Sequence, residues 1–122
     1  MIHDDPILKI RELIPQDELL ALLAEESSEL SHAALKLRRV YEGTNPTPVR
    51  RQDAYMAVLE EIADVSLALE VLGFNRPMQL LEIQKKMNEK MQRWVERLQE
   101  KEGSEDDPEV QQQQGRGGRD HL

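Results

Sequence analysis

Hydrophobic residues recur every three or four positions along most of this chain, which is the spacing of one face of an α-helix. The spacing predicts a short apolar segment followed by three long helices, over about residues 6–14, 16–42, 50–72 and 77–101. Residues 43–48 are rich in helix breakers, so they predict a short loop that joins the first two long helices as antiparallel neighbours. No strand-like alternation is present, and the predicted fold class is all-α.

The first two long helices each carry a stripe in which acidic residues take positions that a bundle would give to leucine. Glu26 and Glu29 interrupt the stripe of the first helix, and Glu61 and Asp64 interrupt that of the second. We call these the acidic stripes; they follow positions 19, 22, 26, 29, 33, 36 and 40 in the first helix and 54, 57, 61, 64, 68 and 71 in the second. Beside each runs an uninterrupted apolar stripe that is expected to supply the packing. The apolar stripes consist of Leu20, Leu23, Leu30, Ala34 and Leu37 in the first helix and of Tyr55, Val58, Ile62, Val65, Leu69 and Leu72 in the second.

Four carboxylates directed toward a core must be hydrated, protonated, paired or metal-bound, because an unpaired buried carboxylate is strongly unfavourable. The chain has no cysteine, so the ligands of any metal would be oxygen or histidine nitrogen atoms. Mg2+ fits this set best, with Mn2+ as a possible substitute. The small side chains of Ala33, Ala57 and Ala68 leave room for an ion and its water.

Mg2+ keeps several waters and commonly bridges protein carboxylates to substrate phosphates, so the acidic stripes suggest a phosphorylated ligand. Glu25 and Glu60 lie about 100° around their helices from the acidic stripes, and one of them is expected to position or deprotonate water. The candidate catalytic residues are Glu25, Glu60 and Glu61, and the pattern leaves open which of them activates the water. Basic residues of the third long helix are expected to hold phosphate charge, namely Lys86, Lys90 and Arg93.

Those basic residues have a second interpretation, as solvated charges paired with glutamates one turn away on the same helix. Tyr41, Tyr55 and Trp94 each continue an apolar stripe, and packing is the interpretation favoured for all three. His32 stands near the acidic positions and is interpreted as a surface or supporting residue.

Four segments together resemble the MazG-like all-α nucleoside triphosphate pyrophosphohydrolases. They are Glu25-Glu26-Ser27-Ser28-Glu29, Asn45-Pro46-Thr47-Pro48, Glu60-Glu61-Ile62-Ala63-Asp64-Val65 and Lys86 to Arg93, and the resemblance covers about residues 16–98. The family pattern Glu-x-x-Glu, spacer, Glu-x-x-Asp maps onto the metal-ligand candidates Glu26, Glu29, Glu61 and Asp64. Every acidic position of that pattern is filled.

The resemblance implies a Mg2+-dependent enzyme that splits a nucleoside triphosphate into the monophosphate and pyrophosphate. It also implies a helical bundle completed by pairing of subunits, as a homodimer or homotetramer. The chain is most similar to short stand-alone members, a group that includes relatives acting on dUTP or dCTP, so canonical and modified deoxynucleotides both remain candidate substrates. An alternative is a non-catalytic helical oligomerisation module, or an inactive relative of the family, which predicts no metal dependence.

Net charge is -8, from 24 acidic against 16 basic residues, which argues against nucleic acid and anionic membranes as partners. A cluster of Arg38, Arg39, Arg50 and Arg51 is the one feature that favours a nucleic-acid-binding regulator, and no groove-reading motif accompanies it. The N-terminus lacks a signal-peptide pattern and no long apolar run is present, so a cytoplasmic protein is expected. The predicted organisation is one domain over 1–102 and a disordered polar tail over 103–122.

Overall fold

The computed structural model describes residues 5–104, and every regular element in that range is an α-helix. The helices are α1 (Pro6–Leu13), α2 (Gln16–Glu42), α3 (Arg51–Leu72) and α4 (Pro77–Ser104). The prediction of an all-α chain with three main helices after a short N-terminal segment is confirmed. Gly103 and Ser104, which were predicted to belong to the polar tail, close α4, and the rest of that predicted tail lies outside the described residues.

Residue chemistry accounts for where these helices begin and end. The Asp5 carboxylate accepts a hydrogen bond from the Ile7 backbone N–H at 2.9 Å, and Pro6 takes the first position of α1, where no N–H partner is needed. Helices α2 and α3 both end at glycines with positive φ, Gly43 at 74° and Gly73 at 83°. Only glycine adopts this left-handed conformation without strain, so both glycines work as C-terminal caps.

The chain divides after Arg76 into two compact units. The first unit contains α1, α2 and α3, and α4 is the described part of the second unit. The predicted domain over residues 1–102 therefore spans both units.

Helices α2 and α3 form an antiparallel hairpin, as the short loop between them predicted. Arg51, at the start of α3, places its guanidinium carbon 4.9 Å from the ring centre of Tyr41, near the end of α2. Farther along the hairpin, Glu26 of α2 lies beside Glu61 and Asp64 of α3. These two contacts, at different points along the helix axes, show that α2 and α3 run antiparallel and fix which residues of the two helices lie opposite each other.

The fully buried side chains of the first unit lie on the acidic stripes. Among the described residues, the buried apolar side chains are Leu19, Ala54, Ala68 and Val71, all of which are acidic-stripe positions. In the apolar stripes, by contrast, Leu20 is 45% exposed and Ile62 is 44% exposed. Seven of the eleven apolar-stripe residues are nevertheless half-buried, so both kinds of stripe contribute to packing in the described chain, while the fully buried positions belong to the acidic stripes.

Helix α1 is attached to the C-terminal end of α3 by one arginine. The Arg11 side chain donates from Nε to the Val71 carbonyl at 2.6 Å and from Nη2 to the Glu70 carbonyl at 3.0 Å. The last carbonyls of a helix lack intrahelical donors and carry partial negative charge, which a guanidinium satisfies well. Nothing in the hydrophobic pattern singled out Arg11 for this role.

Helix α4 is amphipathic, and its apolar side chains are exposed. Its apolar residues recur at intervals of three and four, and they include Leu80, Ile83, Met87, Met91, Trp94 and Leu98. Trp94 is 38% exposed, so the expected packing of its ring is not realised within the described chain. A search of the described helices for a span with the length and apolar character needed to cross a membrane found none.

Candidate metal centre

Three carboxylates from two helices meet halfway along the hairpin. Glu26 of α2 and Glu61 and Asp64 of α3 each offer one oxygen atom, and these three oxygens lie within 4.8 Å of one another. Glu26 and Glu61 are half-buried, while Asp64 is exposed. Leu19 is buried seven residues before Glu26 in α2, and Val71 is buried seven residues after Asp64 in α3. Both buried residues therefore lie about two helical turns from the carboxylates, on the same side of the cluster, because the helices are antiparallel.

The grouping changes the acidity of the two half-buried members. Partial burial raises the pKa of Glu26 above its usual range, and the negative charges of Asp64, Glu29 and Glu25 raise it further. A hydrogen bond between the Glu26 and Asp64 side chains acts in the same direction. Partial burial also raises the pKa of Glu61, with added repulsion from Asp64, Glu26, Glu29 and Glu60. Both pKa values rise because partial burial, first, and the neighbouring negative charges, second, make the ionised carboxylate less favourable.

No ion pair with a lysine or arginine relieves this crowding within residues 5–104. The ion pairs in that range join Arg38 to Glu42, Arg50 to Asp53 and Lys86 to Glu82, all away from the cluster. The interpretation of the acidic pairs as structural salt bridges therefore has no support in the described chain. A cation from solution would supply the missing positive charge.

The remaining predicted acidic residues lie around the cluster. Glu29, predicted as a fourth ligand, is exposed and does not join the group of three at this distance, although its charge raises the pKa of Glu26 and Glu61. Glu25 and Glu60, the candidates for activating water, are exposed at its margin, and each raises the pKa of the adjacent glutamate. His32 is exposed and does not belong to the group.

The donor set suits a hard divalent cation. All three groups are carboxylates, and carboxylate oxygen is the protein ligand that Mg2+ and Mn2+ prefer. Oxygen ligands of one Mg2+ lie about 3 to 4 Å apart, so a spread of up to 4.8 Å needs only a small movement of the side chains. The exposure of Asp64 leaves a side of the cluster open to water and to a ligand.

The predicted phosphate-binding residues Lys86, Lys90 and Arg93 all lie on α4, in the second unit. Lys86 approaches Glu82 at 3.6 Å, which is the pairing expected for solvated helix charges. Lys90 and Arg93 line an open depression on α4 with Trp94, Arg97 and two glutamates, Glu96 and Glu100. A phosphate-binding role for the three residues stays a prediction.

A second cleft lies at the loop end of the hairpin, where the sequence favoured packing of the two tyrosines over contact with a base or ribose. Tyr41 of α2 and Arg51, Gln52 and Tyr55 of α3 line it. Both tyrosines were expected to be packed, yet they are 51% and 46% exposed. The sequence signal for this cleft was the arginine cluster around residues 38–51, but the pairing of Arg51 with Tyr41 depends on the fold.

Comparison with known proteins found no match to a family model, to a curated protein or to a solved structure.

Proposed function

We propose that this protein is a Mg2+-dependent nucleoside triphosphate pyrophosphohydrolase of the MazG-like type. The observation that carries the proposal is the convergence of Glu26, Glu61 and Asp64 from two antiparallel helices, with oxygens within 4.8 Å of one another and no ion pair to a lysine or arginine within residues 5–104. Such a group offers the ligands that a hard cation prefers, and the common role of that cation beside carboxylates is to bind phosphate oxygens. The acidic pattern that resembles the MazG-like enzymes lies on the same residues.

The proposed reaction adds water across the anhydride between the α- and β-phosphates. An oxygen–phosphorus bond to water forms, the phosphoanhydride bond breaks, and the products are a nucleoside monophosphate and pyrophosphate. Glu26, Glu61 and Asp64 would hold Mg2+, with Glu29 next to them as a further candidate ligand. The bound cation would neutralise phosphate charge and make phosphorus more electrophilic.

The chain's own residues would handle the proton. Glu25 or Glu60, at the margin of the cluster, would orient the attacking water and accept its proton, and an exposed position gives either residue access to that water. Glu61 is half-buried and is proposed as both a cation ligand and a residue required for turnover. Lys86, Lys90 and Arg93 are proposed to hold phosphate charge.

Oligomerisation is part of this proposal. The apolar stripes of α2 and α3 and that of α4 expose many large hydrophobic side chains, and a homodimer or homotetramer would cover them. The proposed setting is the cytoplasm, and the substrate is a canonical or modified nucleoside triphosphate such as dUTP or dCTP.

The test is a panel of canonical and modified nucleoside triphosphates, incubated with the full chain in the presence and absence of Mg2+. We expect equal amounts of monophosphate and pyrophosphate with Mg2+, little of either with EDTA, and loss of both in Glu61→Gln. Glu70→Gln is the matched control, because Glu70 is an exposed acid on the same helix and contributes only its backbone carbonyl to a described contact. Turnover on no triphosphate by a folded protein, or equal activity of the two variants, would contradict the proposal.

A helical interaction module is the second candidate, and the exposed apolar stripe of α4 favours it. In that case the acidic cluster would be a solvated surface. The same panel separates the two candidates, because an interaction module shows no metal-dependent pyrophosphate release while it still forms oligomers or binds a partner.

A further inference from the structure

The loop end of the α2–α3 hairpin combines two exposed aromatic rings with arginine side chains. Tyr41 and Tyr55 are about half exposed, and with Arg51 and Gln52 they line one open cleft. Aromatic rings left at a surface beside cations occur where flat, charged ligands bind. We propose that this cleft binds a nucleoside phosphate, with the nucleobase stacked on the tyrosine and guanidinium planes and the phosphate held by arginine.

The stacking surface is already arranged. The Arg51 guanidinium lies over the Tyr41 ring, 4.9 Å from its centre, so the flat cation is oriented before a ligand arrives. Loop contacts hold the neighbouring backbone, since the Thr44 N–H donates to the Arg39 carbonyl at 2.9 Å and the Asn45 amide donates to the Thr47 carbonyl. Any nucleobase can stack on such a surface, because every base has a flat π-face and stacking does not depend on the hydrogen-bonding groups at its edges.

The charge at this end of the hairpin favours an anion. Four arginines lie in its 14 residues from Arg38 to Arg51, in a chain whose net charge is -8. Arg38 is paired with Glu42 at 3.1 Å, and Arg50 is paired with Asp53 at 3.2 Å. Arg51, which lines the cleft, has no carboxylate partner within residues 5–104, and it is the cation placed to bind a phosphate.

This cleft is separate from the carboxylate cluster. Tyr55 precedes Glu61 by six residues on α3, which corresponds to a rise of about 9 Å and a turn of about 240° around the helix. The two groups therefore face different sides of α3. The inference does not rest on the proposed hydrolysis, because ring and phosphate recognition at the cleft needs no metal.

The experiment uses the full chain carrying Glu61→Gln, in EDTA, so that neither turnover nor metal-dependent phosphate binding contributes. Adenosine 5′-monophosphate, adenosine and inorganic phosphate are titrated separately, and binding is followed through the NMR signals of the Tyr41 and Tyr55 rings. We expect the monophosphate to bind at least about tenfold more tightly than either of its parts, because only it makes both stacking and phosphate contacts.

Variants assign the binding to the cleft. Arg51→Gln and Tyr41→Leu should each weaken monophosphate binding by about tenfold, whereas Tyr41→Phe keeps the ring and should stay within about twofold of the parent. Arg38→Gln is the matched control, because Arg38 belongs to the same cluster but is already paired with Glu42. Circular dichroism checks that each variant folds, and Arg51→Gln alters only an exposed side chain.

Three results would overturn the proposal. The monophosphate could bind no more tightly than inorganic phosphate, or Arg51→Gln and Arg38→Gln could weaken its binding equally. The third result is that the monophosphate leaves the NMR signals of the Tyr41 and Tyr55 rings unchanged. A short single-stranded oligonucleotide is the fourth arm, and binding more than about tenfold tighter than the monophosphate would replace the mononucleotide with nucleic acid as the ligand. Failure of the proposed hydrolysis is recognised separately, since that assay depends on Mg2+ and this one is run without it.

Discussion

The α2–α3 hairpin carries an acidic stripe and an apolar stripe on each helix, and the two kinds of stripe differ in how deeply their residues are buried. The acidic stripes contain the buried residues Leu19, Ala54, Ala68 and Val71, with Glu26, Glu61 and Asp64 between them. The apolar stripes are more hydrophobic, yet Leu20 and Ile62 remain almost half exposed. Hydrophobicity alone therefore does not identify the face that is buried within one chain.

Side-chain size and position explain the difference. Alanines at positions 54 and 68 allow a neighbouring helix to approach closely, and they stand on the same face of α3 as the carboxylates. The buried residues lie toward the two ends of that face, and the acids lie between them, partly exposed to water. The apolar stripes are left as a surface that a second chain could cover. The largest expected difference between the two kinds of stripe is in the rate of hydrolysis.

Asp64→Asn should reduce Mg2+-dependent hydrolysis by at least about 100-fold, because it removes charge from the carboxylate cluster itself. Ile62→Ala, on the apolar stripe two residues away, should change kcat/KM by less than about threefold when the oligomeric state is unchanged. Initial rates of pyrophosphate release measure both effects. Similar losses in the two variants would mean that the acidic stripe has no special role in the reaction.

Leu19→Ala and Leu20→Ala compare adjacent residues of the two stripes. We expect the buried Leu19 to contribute more, with a loss of about 2 to 4 kcal/mol in the free energy of unfolding for Leu19→Ala. Leu20→Ala should lose less than about 1.5 kcal/mol, since almost half of its side chain is already in water. Urea unfolding at low protein concentration measures both values.

Repeating the Leu20→Ala measurement at high protein concentration sharpens the comparison. If the loss of unfolding free energy in Leu20→Ala, relative to the parent, grows with protein concentration, a second chain covers the apolar stripe. Equal losses for the two leucines at low concentration would contradict the burial pattern.

Ala68→Leu tests the requirement for small residues between the helices. Adding volume at this buried position should destabilise the fold by about 1 to 3 kcal/mol and weaken Mg2+ binding, because the helices near Asp64 must move apart. Ala34→Leu enlarges an exposed alanine of the apolar stripe and should change stability by less than about 0.5 kcal/mol. Thermal unfolding with and without Mg2+ provides the measurement, and a harmless Ala68→Leu would refute tight packing along the acidic stripe.

The smallest expected effect is a dependence of stability on pH. The pKa values of Glu26 and Glu61 are raised in the folded chain, so the folded state binds protons more tightly than the unfolded state. Their contribution to stability is present below the usual glutamate pKa and is lost as pH rises through the raised values. Without Mg2+, the free energy of unfolding should therefore fall with rising pH across that window.

Denaturant unfolding of the parent and of Glu61→Gln over this pH range checks the effect. The decline should be shallower in Glu61→Gln, and Mg2+ should restore part of the lost stability at the upper end. Ile62→Ala is the contrast, because an apolar-stripe variant should shift stability by the same amount at every pH. A parent and a Glu61→Gln variant with parallel curves would argue against crowding of the carboxylates.

Local patterns were enough to predict most of the helical framework. Gly43 and Gly73 mark the ends of α2 and α3 because a positive φ favours glycine, and Pro6 and Pro77 mark helix starts because proline needs no N–H partner there. The acidic members of the cluster were also predictable, since their spacing places them on one face of each helix. These features depend on residues close together in the chain.

Contacts between residues far apart in the sequence could not be predicted from such local patterns. The bonds from Arg11 to the end of α3, the stacking of Arg51 on Tyr41, and the exclusion of Glu29 from the closest carboxylate group all depend on how helices lie against each other. The same holds for which positions of the acidic and apolar stripes become fully buried.

By itself, then, the sequence determined the four helices, their capped ends and the acidic face, because periodicity and backbone preferences act over a few residues. Only the tertiary structure decided that three of the four carboxylates converge and that an aromatic and basic cleft forms at the loop end. Those outcomes depend on side chains ten or more residues apart, whose distances are set by helix register and packing and not by local conformation.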